Sequence, residues 1–295
     1  MIYISKLTLP SASCEDAVVM GEQRTCFYTC YPFRIFPQKQ LRSIFLDGIT
    51  MFYGGNGSGK STLINVIAQK LNALRYTDFN NSPFFDRYVD RCTVEFARRP
   101  EMSCVLTSDD VFEYVLNARC VNEAIDDRRN ELIKKYGAIR DEYFKNPENS
   151  RLTQLNGLQD YERWSETRDI LSRRKTQSSY VKKRVARDIS LYSNGETAKR
   201  YFIDRIEPEG VYLLDEPENS LSIQFQIELA EYISATARSS KTQFIIATHS
   251  PIFLSMSNAI IYNLDSEPVK QCSWTELPNV RKYFDFFMQH RDEFK

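Results

Sequence analysis

The chain has no excess of either charge: 39 lysines and arginines stand against 39 aspartates and glutamates in 295 residues. No field of one sign draws the whole molecule onto nucleic acid or an acidic membrane, so any such binding has to come from a local patch. No apolar run approaches the ~18 residues that a membrane-spanning helix needs. The N-terminal stretch lacks the basic-then-apolar order of an export signal, which Glu15 and Asp16 would interrupt. The seven cysteines are scattered, and although Cys26 and Cys30 lie four apart, no second pair and no nearby histidine completes a metal site. The expectation is a cytoplasmic protein with reduced thiols and no direct membrane insertion. No internal repeat is present, and only a mild Ser/Arg/Lys bias at 172–187 departs from ordinary complexity.

Hydrophobic residues at 42% and charged residues at 26% are ordinary for a globular chain of a length that buries a full core. The organising stretch is Ile49–Tyr53, an apolar run with β-branched and aromatic members that reads as a buried strand. It breaks into Gly54, Gly55, Asn56, Gly57, Ser58 and Gly59, then Lys60, Ser61 and Thr62, after which Leu63, Ile64, Ile67, Leu71 and Leu74 recur at helical spacing. Glycine backbone turns its N–H groups inward around a polyphosphate, and the following helix aims its positive end at the same charge. In this strand–loop–helix setting Lys60 is expected at the β- and γ-phosphates and the Ser61 hydroxyl on Mg²⁺.

Residues 2–9 alternate at period two, and 25–31 and 41–46 also read as strands, which suggests an antiparallel β subdomain over 1–48. A nucleotide-binding core is expected at 49–108 and 191–295, with a charged helical lobe at 109–190 and a breaker at 146–150, all within one domain. Strands are expected at 92–96, 103–106, 210–214, 243–248 and 259–264. A tail helix at 280–294 is expected to use Tyr283, Phe286 and Phe287. Strands alternating with helices make an α/β fold with a mostly parallel sheet, whose ligands bind at the strands' carboxyl ends.

The run 210–214 delivers Asp215 and Glu216 to that edge. Asp215 is suited to hold Mg²⁺ and Glu216 to orient and deprotonate an attacking water. An acidic turn after a strand is common alone; following a phosphate loop it is not. His249, one of two histidines, ends another buried strand at the same edge, where a switch role outweighs a structural one.

Before the helix at 197–206 comes Tyr192-Ser193-Asn194-Gly195-Glu196. Here the chain resembles the ATP-binding-cassette (ABC) ATPases, whose Leu-Ser-Gly-Gly-Gln/Glu segment it matches at Ser193, Gly195 and Glu196, with Tyr192 and Asn194 departing. The turn after Glu216 and the Ala-Thr-His-Ser-Pro run at 247–251 are worded as in the RecF, SMC and OLD-type group of soluble P-loop ATPases. The resemblance implies Mg-ATP as cofactor. It also implies a head-to-tail homodimer in which Ser193, Gly195 and the helix after them bind the γ-phosphate held by the other subunit. Relatives of that group serve DNA repair or antiphage defence, so the resemblance implies an ATPase that switches a nucleic acid or an effector protein. The alternatives are the nucleotide-binding subunit of a membrane ABC transporter and a non-hydrolysing ATP-gated scaffold.

The family's Mg²⁺-contacting glutamine has no counterpart, because no glutamine occurs from 70 to 153. Ser108 or Asp109 stands near its place, either completing the Mg²⁺ shell or capping the next helix. Tyr28, Tyr31 and Phe33 are all available to stack on adenine. Arg173, Arg174, Lys175, Lys182, Lys183, Arg184 and Arg187 form a basic cluster that either contacts DNA or RNA phosphates or makes a solvated or partner-docking face.

Overall fold

The computed structural model describes residues 2–24, 26–145, 161–171, 176–189 and 194–294. Its strands are β1 (Ile4–Thr8), β2 (Ser43–Phe45), β3 (Ile49–Tyr53), β4 (Thr93–Phe96), β5 (Met102–Thr107), β6 (Gly210–Asp215), β7 (Gln243–Ala247), β8 (Ala259–Asn263) and β9 (Lys270–Gln271). Its helices are α1 (Ala12–Met20), α2 (Lys60–Leu71), α3 (Phe85–Val89), α4 (Ser108–Lys145), α5 (Tyr161–Leu171), α6 (Gln177–Lys182), α7 (Asn194–Arg205), α8 (Ile223–Ser239), α9 (Pro251–Leu254) and α10 (Pro278–Gln289). The chain divides into two compact units, one of Met1–Glu113 with Tyr192–Lys295 and one of Tyr114–Leu191.

In the first unit the described residues form two sheets, ordered β2-β1-β4 and β5-β6-β7-β3-β8-β9. The larger is parallel from β5 through β8, and only β9 runs antiparallel. Both its faces are covered, which explains the unbroken apolar runs of β3, β6 and β7. Period-two alternation sends Phe52, Val105, Leu213 and Ile245 to one face, against Leu63, Ile64 and Ile67 of α2. It sends Met51, Leu106, Leu214 and Ile246 to the other, with Leu229 and Ile233 of α8.

The smaller sheet is antiparallel throughout. Its third strand is β4, pairing Leu7 with Val94; the strand expected at 25–31 does not form. The described residues of that stretch are irregular, and their aromatics pack instead of pairing: Phe27 meets Phe84 edge-on at 5.0 Å. Helix α1, also unexpected, is capped by Ser11, whose Oγ accepts from the Cys14 N–H. Gln243 joins the two sheets. Fully buried, its Oε1 accepts from the Tyr3 and Ile4 N–H groups, both at 2.9 Å, and its Nε2 donates to the carbonyls of Ile4 and Asp47. Helix α10 buries only Val280; Tyr283, Phe286 and Phe287 stay about half exposed, contrary to the expected inward set.

The second unit contains most of α4, with α5 and α6. Among its described residues the apolar core cluster is Leu132, Tyr136, Ile170, Tyr180 and Val181. Polar clamps surround it. Glu166 accepts from Lys135 Nζ at 2.5 Å and from the Tyr180 hydroxyl, Arg129 pairs with Asp188 at 2.8 Å, and Arg184 with Asp169 at 3.3 Å.

Candidate nucleotide-binding site

Parallel register brings the expected residues together. Thr107 of β5 lies opposite Asp215 of β6, Asp215 opposite Ala247 of β7, and Ala247 opposite Phe52 of β3. The next residues along each strand therefore leave the sheet at one edge, where such folds bind ligands. A cleft of 660 Å³ opens there, lined by Asn56, Gly57, Ser58, Gly59, Lys60, Ser61 and Thr62 with Ser108, Asp109, Asp215 and Glu216.

Gly57 and Gly59 adopt φ of +77° and +100°, which L side chains rarely do. A Cβ on Gly59 would also come within 2.9 Å of the Phe36 ring. Gly59 caps α2 without a side-chain hydrogen bond, so the first N–H groups of α2 remain for an anion. Gly54 has no φ constraint; a Cβ there would strike Ser58 Oγ at 2.5 Å. Asp265, just beyond β8, steadies the shoulder of the loop by accepting from the Gly55 N–H at 2.9 Å.

Lys60 is 4% exposed, and its Nζ donates to the Gly54 and Gly55 carbonyls at 2.7 and 3.1 Å. It also pairs with Glu216 Oε1 at 3.1 Å. Ser61 Oγ donates to Asp215 Oδ1 at 3.1 Å. Burial pushes the Asp215 carboxyl up to about 6, with the neighbouring Glu216 adding to the rise against the Ser61 hydrogen bond and Lys60. Its ionised form is thus held at a cost that a cation beside Ser61 and Asp215 would offset. The donor set of hard oxygens next to a glycine cradle and a buried lysine fits Mg²⁺ with a nucleoside polyphosphate.

Glu216 itself sits in the left-handed region, φ +46°, and its N–H donates to the Ala247 carbonyl at 2.9 Å. Asn219 Nδ2 donates to Glu216 Oε2 at 3.0 Å. Helix α4 is capped by Thr107: its Oγ1 accepts from the Asp110 N–H at 3.0 Å, and Asp110 Oδ2 accepts from the Thr107 N–H at 2.7 Å. The cap is therefore neither Ser108 nor Asp109, and both line the cleft.

Of the three aromatics, Phe33 is buried edge-on against Tyr88 and Tyr28 is fully exposed. Tyr31 lines the cleft, its hydroxyl 3.0 Å from Thr62 Oγ1. His249 is held at Nδ1, 3.2 Å from Glu218 Oε1. Nothing in the order of residues marks Glu218, because its partners lie thirty positions on.

Ser193 lies outside the described residues. Gly195 and Glu196 do not line the cleft of their own chain. Gly195 packs on α8, where a Cβ would meet the Phe225 ring at 2.8 Å, and Glu196 pairs with Arg200 at 3.2 Å. Of the basic cluster, Arg173, Arg174 and Lys175 lie outside the described residues. Arg184 is engaged by Asp169 and by the Tyr180 ring, 4.1 Å from its centroid. Lys182, Lys183 and Arg187 are exposed, and Lys182 and Arg187 edge a cleft in the second unit floored by Ile133, Val181 and Val185.

Residues 120–254 match the family model described as the AAA ATPase domain. Over that stretch, a little under half of its length, the chain is similar to AAA-type ATPases. Among solved structures it is similar to the Smc head domain of Pyrococcus furiosus bound to the C-terminal domain of ScpA, at 15% identity and a TM-score of 0.40 over 99% of this chain and 100% of that one. The SMC head domain of Thermotoga maritima is similar at 13% identity and a TM-score of 0.37, over 92% of this chain and 99% of the other. An inward-facing putative metal-chelate type ABC transporter is similar at 14% identity and 0.40, over 96% and 88%. A short segment is 38% identical over 71 residues to the small ribosomal subunit biogenesis GTPase RsgA of Streptococcus agalactiae serotype III (strain NEM316). That match spans 24% of this chain and 23% of the GTPase.

Proposed function

We propose that the chain binds Mg-ATP in the described cleft and hydrolyses it to ADP and phosphate. The observation that carries this reading is the convergence of Lys60, Ser61, Asp215 and Glu216, each within 3.1 Å of another member of the group. Lys60 exchanges its carbonyl and carboxylate partners for phosphate oxygens. Ser61 and Asp215 hold the metal, with Ser108 or Asp109 as a further oxygen in place of the family's glutamine. Glu216 orients and deprotonates the attacking water, His249 contacts the terminal phosphate, and Tyr31 packs beside the base.

The whole of 1–295 acts as one ATPase domain with a helical lobe at 109–190, in the cytoplasm. Two copies sandwich two nucleotides head to tail, each lending Ser193, Gly195 and Glu196 to the other's γ-phosphate. That Gly195 and Glu196 do not line their own cleft supports this arrangement. Closure on ATP and release after hydrolysis then switch a DNA, RNA or effector-protein partner, in repair or antiphage defence.

The test is phosphate release with and without single-stranded DNA, double-stranded DNA and RNA, for the wild type and Lys60→Ala. Turnover that the substitution reduces by about 10²–10³ supports the assignment. A wild-type rate in Lys60→Ala rejects it.

A further inference from the structure

Glu218 is buried, its side chain 5% exposed, and most of its bonding falls on one oxygen. Oε1 accepts from Thr248 Oγ1 at 2.7 Å, from the His249 N–H at 2.7 Å and from the Ser250 N–H at 3.2 Å. His249 Nδ1 lies 3.2 Å from the same atom. Oε2 is buried without a hydrogen-bond partner. From α8, Gln226 completes the fixture: its Oε1 accepts from Ser250 Oγ at 2.7 Å and its Nε2 donates to the Leu221 carbonyl at 3.1 Å. The charged groups nearby are Asp215, Glu216 and Lys60, and Lys60 is already paired with Glu216. Four groups of the segment after β7 thus converge on one carboxylate of the turn that follows Glu216.

A carboxylate only accepts, so with Oε1 3.2 Å from Nδ1 a proton on that nitrogen is favoured over a lone pair there. The partner that faces one ring nitrogen biases which nitrogen keeps the lone pair. We infer that Glu218 is the positioning residue for His249, locking it with Nδ1 protonated and leaving Nε2 as the nitrogen offered to the ligand. The inference rests on the ATPase reading for its catalytic consequence but not for its geometry. Because Glu218 also sits in the turn Pro217–Ser220, a shift of that turn carries the His249 backbone with it. The carboxylate therefore couples the position of the base to the position of the histidine.

The test reads the tautomer directly. With two histidines in the chain, a long-range ¹H–¹⁵N spectrum is assigned by one His290→Gln variant. The expected result is a protonated Nδ1 at His249 in the wild type, and a shift toward the Nε2–H form, which a free imidazole favours, in Glu218→Met, which removes the acceptor. A wild-type His249 protonated only at Nε2 overturns the proposal with no variant needed. In turnover, Glu218→Met is expected to lower kcat about 10–100-fold with KM for ATP unchanged, and Glu218→Asp to retain more of the activity. An unchanged kcat in Glu218→Met, with His249→Ala impaired, also overturns it. A wild type that hydrolyses no ATP rejects the ATPase reading instead, while the spectrum still decides the position of the proton.

Discussion

The two units hold themselves together by different means. The first packs both faces of a parallel sheet, with Phe52, Leu213, Leu214, Ile245 and Ile246 all fully buried. Among its described residues the second has an apolar cluster that includes Leu132 and Tyr180, with Glu166, Asp169 and Asp188 tying its helices together. The difference teaches where precision is needed. Phosphate chemistry requires groups held to a fraction of an ångström, and a close-packed sheet supplies that. Partly exposed ion pairs contribute little each and respond to salt and pH.

The contrast breaks most visibly in catalysis. Glu216→Gln should lower kcat by about 10²–10³ while leaving a nucleotide-bound dimer; light scattering at saturating ATP that finds only monomers removes the sandwich. Next comes stability. Leu213→Ala, at the centre of the sheet, should destabilise the first unit by about 3–5 kcal/mol in a denaturant melt. Leu132→Ala should cost the second unit about 2–3 kcal/mol and melt its helices locally, with nucleotide affinity within about twofold of wild type. A single global transition for both variants would erase the distinction.

Smaller effects sharpen the comparison. Burial works to raise the Glu166 carboxyl, but hydrogen bonds from Lys135 and Tyr180 outweigh it and its pKa falls below the usual 4.5. A depressed carboxylate contributes stability above its unfolded value and loses it as pH drops through the folded one. Helical signal from the second unit should therefore weaken in acid below about pH 4.5. Glu166→Gln should reduce that dependence at a stability loss of about 1 kcal/mol. Last, reversing Lys182, Lys183 and Arg187 to glutamate should weaken DNA or RNA binding and flatten its salt dependence. An unchanged salt slope would make the cluster a docking or solvent face.

Much of this was legible beforehand because it is local. The strand Ile49–Tyr53, its glycines and α2 form one continuous signal, and so does β6 running into Asp215 and Glu216. What escaped depends on distant partners. The pairing of β1 with β4 joins residues some ninety positions apart, and no pattern in 93–96 says which sheet it enters. The aromatics at 27 and 31 looked strand-like but found ring partners at Phe84 and Phe85. Thr107, not Ser108 or Asp109, caps α4, because Asp110 returns the hydrogen bond to its N–H. Glu218 reads as one more acidic residue until the fold brings Thr248, His249 and Ser250 to it.

Neighbouring strands β5 and β6 are matched residue for residue from Met102–Gly210 to Thr107–Asp215. Yet the polypeptide departs after Thr107 and does not come back until Gly210. Of that excursion, Ser108, Asp109 and α7, with Ala198 and Phe202 in the first unit's core, belong with the sheet, whereas Tyr114–Leu191 is a compact unit of its own that can lengthen, shrink or be exchanged. Grafting a different helical insert in place of Tyr114–Leu191 should leave Lys60, Ser61, Asp215 and Glu216 as they are.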